Sequence, residues 1–372
     1  VVYLVSQWAL IHEVLRNQRD YSANLTGILI RGADGAPELF ELAQFGGTID
    51  ALANADEPFH AVHRKLVLPQ LNARAVAALE GEVRHWADAA VAKLVAAGGG
   101  DCVGALANDI PVKVMARLAG LPVEDVDQLL DWAFGGGDLL AGTADLARMA
   151  ALGASTSELA AYLKRHFERT AAADFDEPGS VLQELVRGVQ RGLVDESAAI
   201  GILVVLVGAA GESTSSLVGS AIRLLAQDAG LQGRLRQQPH LIDAFVEEVV
   251  RLESPFKGHY RVALNPTSLG DTELPAGSRV FLLWAAANRD PAVFTNPDRL
   301  EPGRPDGGNH LGFGHGIHFC IGARVARMEA RIILQELLAQ TRGFTLDPAL
   351  PPAHVPSIFV RRLAALHLLL DG

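Results

Sequence analysis

The chain is predicted to fold as one predominantly helical unit. Its 372 residues, 49% of them hydrophobic, can bury a large core. Aromatics make up only 6%, while Ala, Leu and Val are abundant, which favours helix over β-sandwich. No Pro/Gly/Ser-rich linker divides the sequence, so a single domain over residues 1–372 is the simplest organisation.

Composition also excludes some classes. The formal net charge is −11, and no basic tail or Lys/Arg cluster interleaved with aromatics is present, so a nucleic-acid role is not expected. Two cysteines, Cys102 and Cys320, make no disulfide framework and fit a reducing cytoplasm. Cys102 has no histidine or second cysteine at metal spacing and reads as buried structure. The longest apolar run, Ala198 to Gly211, is too short to span a bilayer, so no membrane anchor is expected. The chain opens at Val1 without an initiator methionine, and some N-terminal sequence is expected to precede it.

Taken in order, the first informative element is His60-Ala61-Val62-His63-Arg64, which presents His60 and Arg64 on one helical face. Next, Asp195 can cap a helix whose apolar periodicity continues to Gln227. Its centre, Gly208-Ala209-Ala210-Gly211-Glu212-Ser213-Thr214, is locally costly. A mid-helix glycine loses about 1 kcal/mol relative to Ala, and a buried unpaired carboxylate costs several more. Such violations tend to mark functional sites. Ala209 and Ala210 would leave a groove, while Glu212 and Ser213, with Thr214 next, could relay protons. A kinked core helix with a hydrated carboxylate fits this segment equally well. Glu248 and Arg251 stand three apart on a helix, where a solvated pair is the simplest reading. Arg324, Arg327 and Arg331 recur at helical spacing with Glu329 among them, either as a basic face for an acidic electron donor or as an ordinary solvated face.

The most specific segment is Phe313-Gly314-His315-Gly316-Ile317-His318-Phe319-Cys320-Ile321-Gly322. A cysteine that ligates iron must stay deprotonated and away from bulk water. A helix beginning at about Ile321 would aim free N–H groups and its positive end at the sulfur. Gly314 and Gly316 permit a tight loop beneath a flat macrocycle, Gly322 lets the helix start pack against it, and Phe313 and Phe319 would shield the sulfur. The loop therefore reads as a haem-iron thiolate site, a ligation that favours O–O cleavage.

This ten-residue pattern resembles the cysteine-ligand loop of the cytochrome P-450 family, the haem-thiolate monooxygenases. The resemblance extends from about Tyr3 to the C-terminal segment, with the first strand and helix of the family apparently absent, and some segments resemble a mycobacterial subgroup. It implies a mainly α fold with a small β portion formed by early residues and the stretch from about Arg261 to Leu283. Glu212 matches the acid of the family's Ala/Gly-Gly-x-Asp/Glu-Thr motif, with Ala210 in place of glycine and Ser213 in place of threonine. Glu248, Arg251 and Arg304 match a buried trio that locks the haem-binding core. His60, Arg64, Arg261 and His318 match haem-propionate partners, Ala209 and Ala210 flank the haem, and Cys320 is the metal ligand. The substrate pocket would draw on variable segments around Leu25 to Ile49, Phe134 to Met149, Val204 to Ser213, Pro255 to His259 and Pro356 to Val360, with Phe256, Lys257, His259, Ile358 and Phe359 lining it. The implied cofactor is haem b (iron protoporphyrin IX). The implied partners are ferredoxin, ferredoxin reductase, O2, a lipophilic small molecule and azole-type inhibitors. A peroxide-driven peroxygenase and a noncatalytic haem-binding sensor or carrier remain as alternatives.

Overall fold

The computed structural model describes residues 1–45, 50–177 and 179–371. Of the variable segment Leu25 to Ile49, residues 46–49 therefore lie outside the described residues.

The helices are α1 (Trp8–Arg16), α2 (Phe59–Val67), α3 (Ala73–Ala96), α4 (Asp109–Ala119), α5 (Val126–Leu140), α6 (Leu146–Ala171), α7 (Val181–Gln190), α8 (Glu196–Ala226), α9 (Ala229–Gln237), α10 (Leu241–Glu253), α11 (Trp284–Ala287) and α12 (Ala323–Gln340). Their starts follow local chemistry. Asn72, Asp145, Ser180, Asp195 and Asp228 each accept a hydrogen bond from a backbone N–H in the first turn of α3, α6, α7, α8 and α9. The expected long helix is α8, with Asp195 as N-cap and Gln227 as C-cap.

Helix α8 is the axis of the core and packs against α4, α5, α6, α7, α9, α10 and α12. By length and composition it could cross a bilayer, but its second half, from Thr214 to Ile222, is buried without a break inside the protein. Its first half keeps half-buried positions, and Ala209 is exposed. Cys102 is fully buried, its thiol donating to Leu366 O at 3.2 Å, with burial pushing its pKa up.

The main sheet has strands β1 (Val2–Val5), β2 (Tyr21–Ser22), β6 (His259–Ala263) and β9 (Arg279–Leu282) in the order β1-β9-β6-β2. Strand β1 runs parallel to β9, with Val2 opposite Arg279, and β6 runs antiparallel to it, with His259 opposite Leu282. Early residues and the Arg261 to Leu283 region thus form the expected β portion. Smaller sheets add to it: β3 (Gly27–Arg31) with β4 (Pro37–Glu41), β7 (Thr267–Leu269) with β8 (Thr272–Leu274), and β11 (Ala353–His354) with β12 (Leu363–Ala365). A further sheet joins β5 (Gly99–Asp101), β10 (Gly343–Leu346) and β13 (His367–Asp371).

Candidate functional site: a cysteine loop beside arginines and histidines

The loop carrying Cys320 is fixed at both ends. Asn288, fully buried after α11, accepts from Leu311 N at 2.6 Å, and Cys320 N donates to Phe313 O at 2.8 Å. Gly316 has φ 71°, and a Cβ there would lie 2.6 Å from Leu15 O of α1, so both conformation and space require glycine. Helix α12 starts at Ala323 with Gly322 as its N-cap, two residues beyond the expected start.

Backbone N–H groups of Gly322 and Ala323 and the charges of Arg64 and Arg327 favour the Cys320 thiolate, but desolvation outweighs them and raises the thiol pKa. A cation at the sulfur would reverse that balance, because a coordinating thiol is deprotonated outright. Phe313 packs against the core and under the Arg327 guanidinium, 4.4 Å from the ring centroid. Phe319 is 40% exposed, and its ring lies 6.3 Å from that of Phe313.

Around the loop, two arginines and two histidine rings converge, and His60 Nδ1 lies 3.3 Å from Glu57 Oε1. The His60 and His318 rings lie 4.3 Å apart. Arg64 Nη1 donates to Phe319 O at 2.9 Å. Arg261 is buried and donates to Tyr260 O at 2.6 Å, with no carboxylate at ion-pair distance among the described residues. His318 Nδ1 is buried with no partner. Burial, followed by Arg261, His60, His259 and Arg64, pushes the His318 pKa down to about 2, and burial with Arg261 takes His259 down to about 4. The two histidines are thus neutral, and Arg261 remains as a buried charge without an ion pair, which is costly. The set fits a ligand that brings two carboxylates beside a metal facing the thiol, and haem is such a ligand.

On α8, Glu212 is fully buried. Its Oε1 accepts from Arg362 Nε at 2.8 Å, and its Oε2 has no partner. Burial raises the carboxyl pKa to about 7, with Arg362 opposing the rise. Ser213 Oγ donates to Ala209 O at 2.6 Å, Thr214 is buried, and Ala210 packs half-buried against the main core.

The expected pocket residues lie together. The Phe256 and Phe359 rings stack at 4.6 Å, His259 sits edge-on to Phe359 at 5.7 Å, and Ile358 N donates to Ala141 O at 2.9 Å. Lys257 Nζ is engaged by Ser357 O at 2.5 Å.

Glu248 and Arg251 form a buried two-bond pair at 2.7 and 3.0 Å, and Arg304 Nη1 lies 3.6 Å from Glu248 Oε2. Spacing alone suggested a solvated pair here, and the structure corrects that reading, because α10 turns this face into the core. The basic face on α12 also needs correction. Arg327 is paired with Glu247 at 2.5 and 2.9 Å, and Arg331 with Glu80 at 2.8 Å, which leaves Arg324 exposed. Sequence reasoning missed Arg362, whose only local signal was the Arg361-Arg362 pair in an otherwise apolar C-terminal segment.

A mainly helical fold that holds a cysteine just before a helix start, beside a buried arginine with no ion-pair carboxylate, fits the haem-thiolate class. The family model described as Cytochrome P450 matches residues 206–350. Cytochrome P450 144 of Mycobacterium tuberculosis is 41% identical over 366 residues, covering 98% of this chain and 83% of that one. Erythromycin C-12 hydroxylase of Saccharopolyspora erythraea is 33% identical over 350 residues, 93% of this chain and 83% of its own. Among solved structures, a mutant of P450 EryK in complex with erythromycin B superposes with TM-score 0.84 at 30% identity, covering 100% of this chain and 91% of that one. CYP109E1 from Bacillus megaterium in complex with testosterone gives 0.87 at 26%, covering 100% and 92%. The chain belongs to the cytochrome P450 family of monooxygenases.

Proposed function

We propose that the chain works as a single domain that inserts one oxygen atom of O2 into a lipophilic small molecule. Its electrons come from NAD(P)H through ferredoxin reductase and ferredoxin, and its cofactor is haem b. The observation that carries this reading is the pairing of a buried Arg261 that has no carboxylate at ion-pair distance among the described residues with the orphaned His318 Nδ1 beside the Cys320 loop. When bound, the haem supplies the redox chemistry that activates O2.

The chain's own residues do the rest. Cys320 holds the iron through its sulfur, supported by the N–H groups of Gly322 and Ala323. His60, Arg64, Arg261 and His318 would hold the propionates of a bound haem, Phe313 and Gly314 would shape the loop that receives it, and Ala209 and Ala210 would leave room on the α8 side. Glu212, with a pKa of about 7, can hold a proton at Oε2 and release it near neutral pH, with the hydroxyls of Ser213 and Thr214 alongside. Glu248, Arg251 and Arg304 serve folding and haem retention.

Phe256, His259, Ile358 and Phe359 form an apolar wall, and Lys257 fixes the segment that carries it. A relative named for erythromycin, and neighbours holding erythromycin B and testosterone, support a substrate that is large and mostly apolar. Azole-type inhibitors suit the same pocket.

The test is product formation from a lipophilic substrate panel with NADPH, ferredoxin reductase and ferredoxin. Turnover that disappears when ferredoxin is omitted is the expected result. Turnover with hydrogen peroxide alone at an equal rate would favour a peroxygenase, and haem binding without turnover of any substrate would favour a sensor or carrier.

A further inference from the structure

Arg362 lies in the C-terminal segment between Val360, which bridges to Phe256, and strand β12. Its backbone oxygen accepts from Val355 N at 2.9 Å, which fixes its place in the hairpin. The side chain is 12% exposed, and its guanidinium lies 3.8 Å from the centroid of the Phe134 ring of α5. Its Nε reaches the fully buried Glu212 at 2.8 Å.

The other side of that carboxylate is closed by α5. A Cβ on Gly137 would lie 1.6 Å from Glu212 Oε2 and 2.5 Å from its Cδ. The carboxylate thus fills the space that any other side chain at position 137 would need. The remaining charge acting on it is Asp138, also on α5, which is paired with Arg148 at 2.7 Å. Arg362 is therefore the cation that faces Glu212 among the described residues.

We infer that Arg362 is a positioning residue for Glu212: the C-terminal hairpin supplies the counter-charge that seats this carboxylate in the notch at Gly137 and keeps it exchangeable between its charged and neutral forms. Without the cation only desolvation and Asp138 act, and both favour the neutral acid. A proton carrier must lose its proton as well as hold it, so the pairing matters to proton supply. The catalytic consequence rests on the reading of Glu212 as proton carrier, whereas the pairing and its effect on titration do not. Ile358 and Phe359 belong to the same hairpin, so the apolar wall and the counter-charge are carried by one short segment.

The test is infrared difference spectroscopy of the haem-loaded protein across a pH series, following the protonated-carboxyl band that disappears in E212Q. Arg362→Gln is expected to move the midpoint of that band upward by at least about one pH unit, a tenfold change. Arg362→Lys, which keeps the charge but loses the stacking on Phe134, should move the midpoint less than Arg362→Gln. An unmoved midpoint in R362Q would overturn the inference. If R362Q does not fold, Phe134→Leu loosens the guanidinium instead: a smaller upward movement supports the inference and an unchanged midpoint overturns it. Coupled turnover of E212Q separates the two readings. Undiminished coupling there removes Glu212 from proton delivery without touching the titration result, whereas impaired coupling with an unmoved R362Q midpoint sinks only the role of Arg362.

Discussion

Replacing Arg251 by methionine removes the centre of a buried charge cluster. Arg251 is fully buried and Glu248 is 1% exposed. Besides its two bonds to Glu248, the guanidinium donates to Asn288 O at 2.9 Å, Pro297 O at 2.6 Å and Arg299 O at 3.1 Å. Glu248 Oε2 in turn accepts from Glu301 N at 3.1 Å. The variant therefore leaves a buried carboxylate short of its main partner and three carbonyls short of a donor. Breaking a buried pair costs about 3–5 kcal/mol, and the stranded carbonyls push the loss toward the upper end. That is a large share of a total stability of about 5–15 kcal/mol. Urea unfolding at unchanged slope measures it, with Arg117→Met as control. Arg117 is exposed and pairs with Glu82 at 3.2 Å, so its loss should cost no more than about 1 kcal/mol. The double variant E248M/R251M should recover part of the loss, because the carboxylate goes with its partner and Arg304 keeps Asp306 at 2.6 Å. If R251M cost no more than R117M, or E248M/R251M recovered nothing, the assignment of this trio to folding would be refuted.

Glu212 gives a stability signature that needs no substrate. Its folded pKa of about 7 stands above the ordinary 4.5, so its contribution is full below pH 4.5 and is lost as pH rises through 7. The difference amounts to about 3 kcal/mol, and the stability of E212Q should be flatter across that window; parallel curves for the two proteins would contradict the burial argument. If His318 reaches the propionates as proposed, His318→Ala should let haem pass to apomyoglobin about 10–100-fold faster, and an unchanged transfer rate would take His318 out of the cofactor site.

What the sequence revealed depended on how local the signal was. The bounds of α8 follow from a cap and a periodicity carried by the segment itself, and the cysteine loop is a contiguous pattern of glycines and aromatics. The Glu248–Arg251 pair has ordinary spacing, so resemblance pointed to its burial and spacing did not. Arg327 and Arg331 looked free because Glu247 and Glu80 come from other helices. Arg362 was invisible for the same reason: its partner lies 150 residues away, on a helix whose own pattern says only that an acid sits where apolar residues belong. Strand β5, Gly99-Gly100-Asp101, carries no strand propensity and forms because β13 offers an edge to it.

The central claim is that Cys320 holds a haem iron as thiolate. The absorption spectrum of the dithionite-reduced protein with carbon monoxide bound tests it most directly. A strongly red-shifted Soret band, lost in Cys320→Ser, is the predicted result. A spectrum of the histidine-ligated kind, or a red-shifted band that survives C320S, would contradict it.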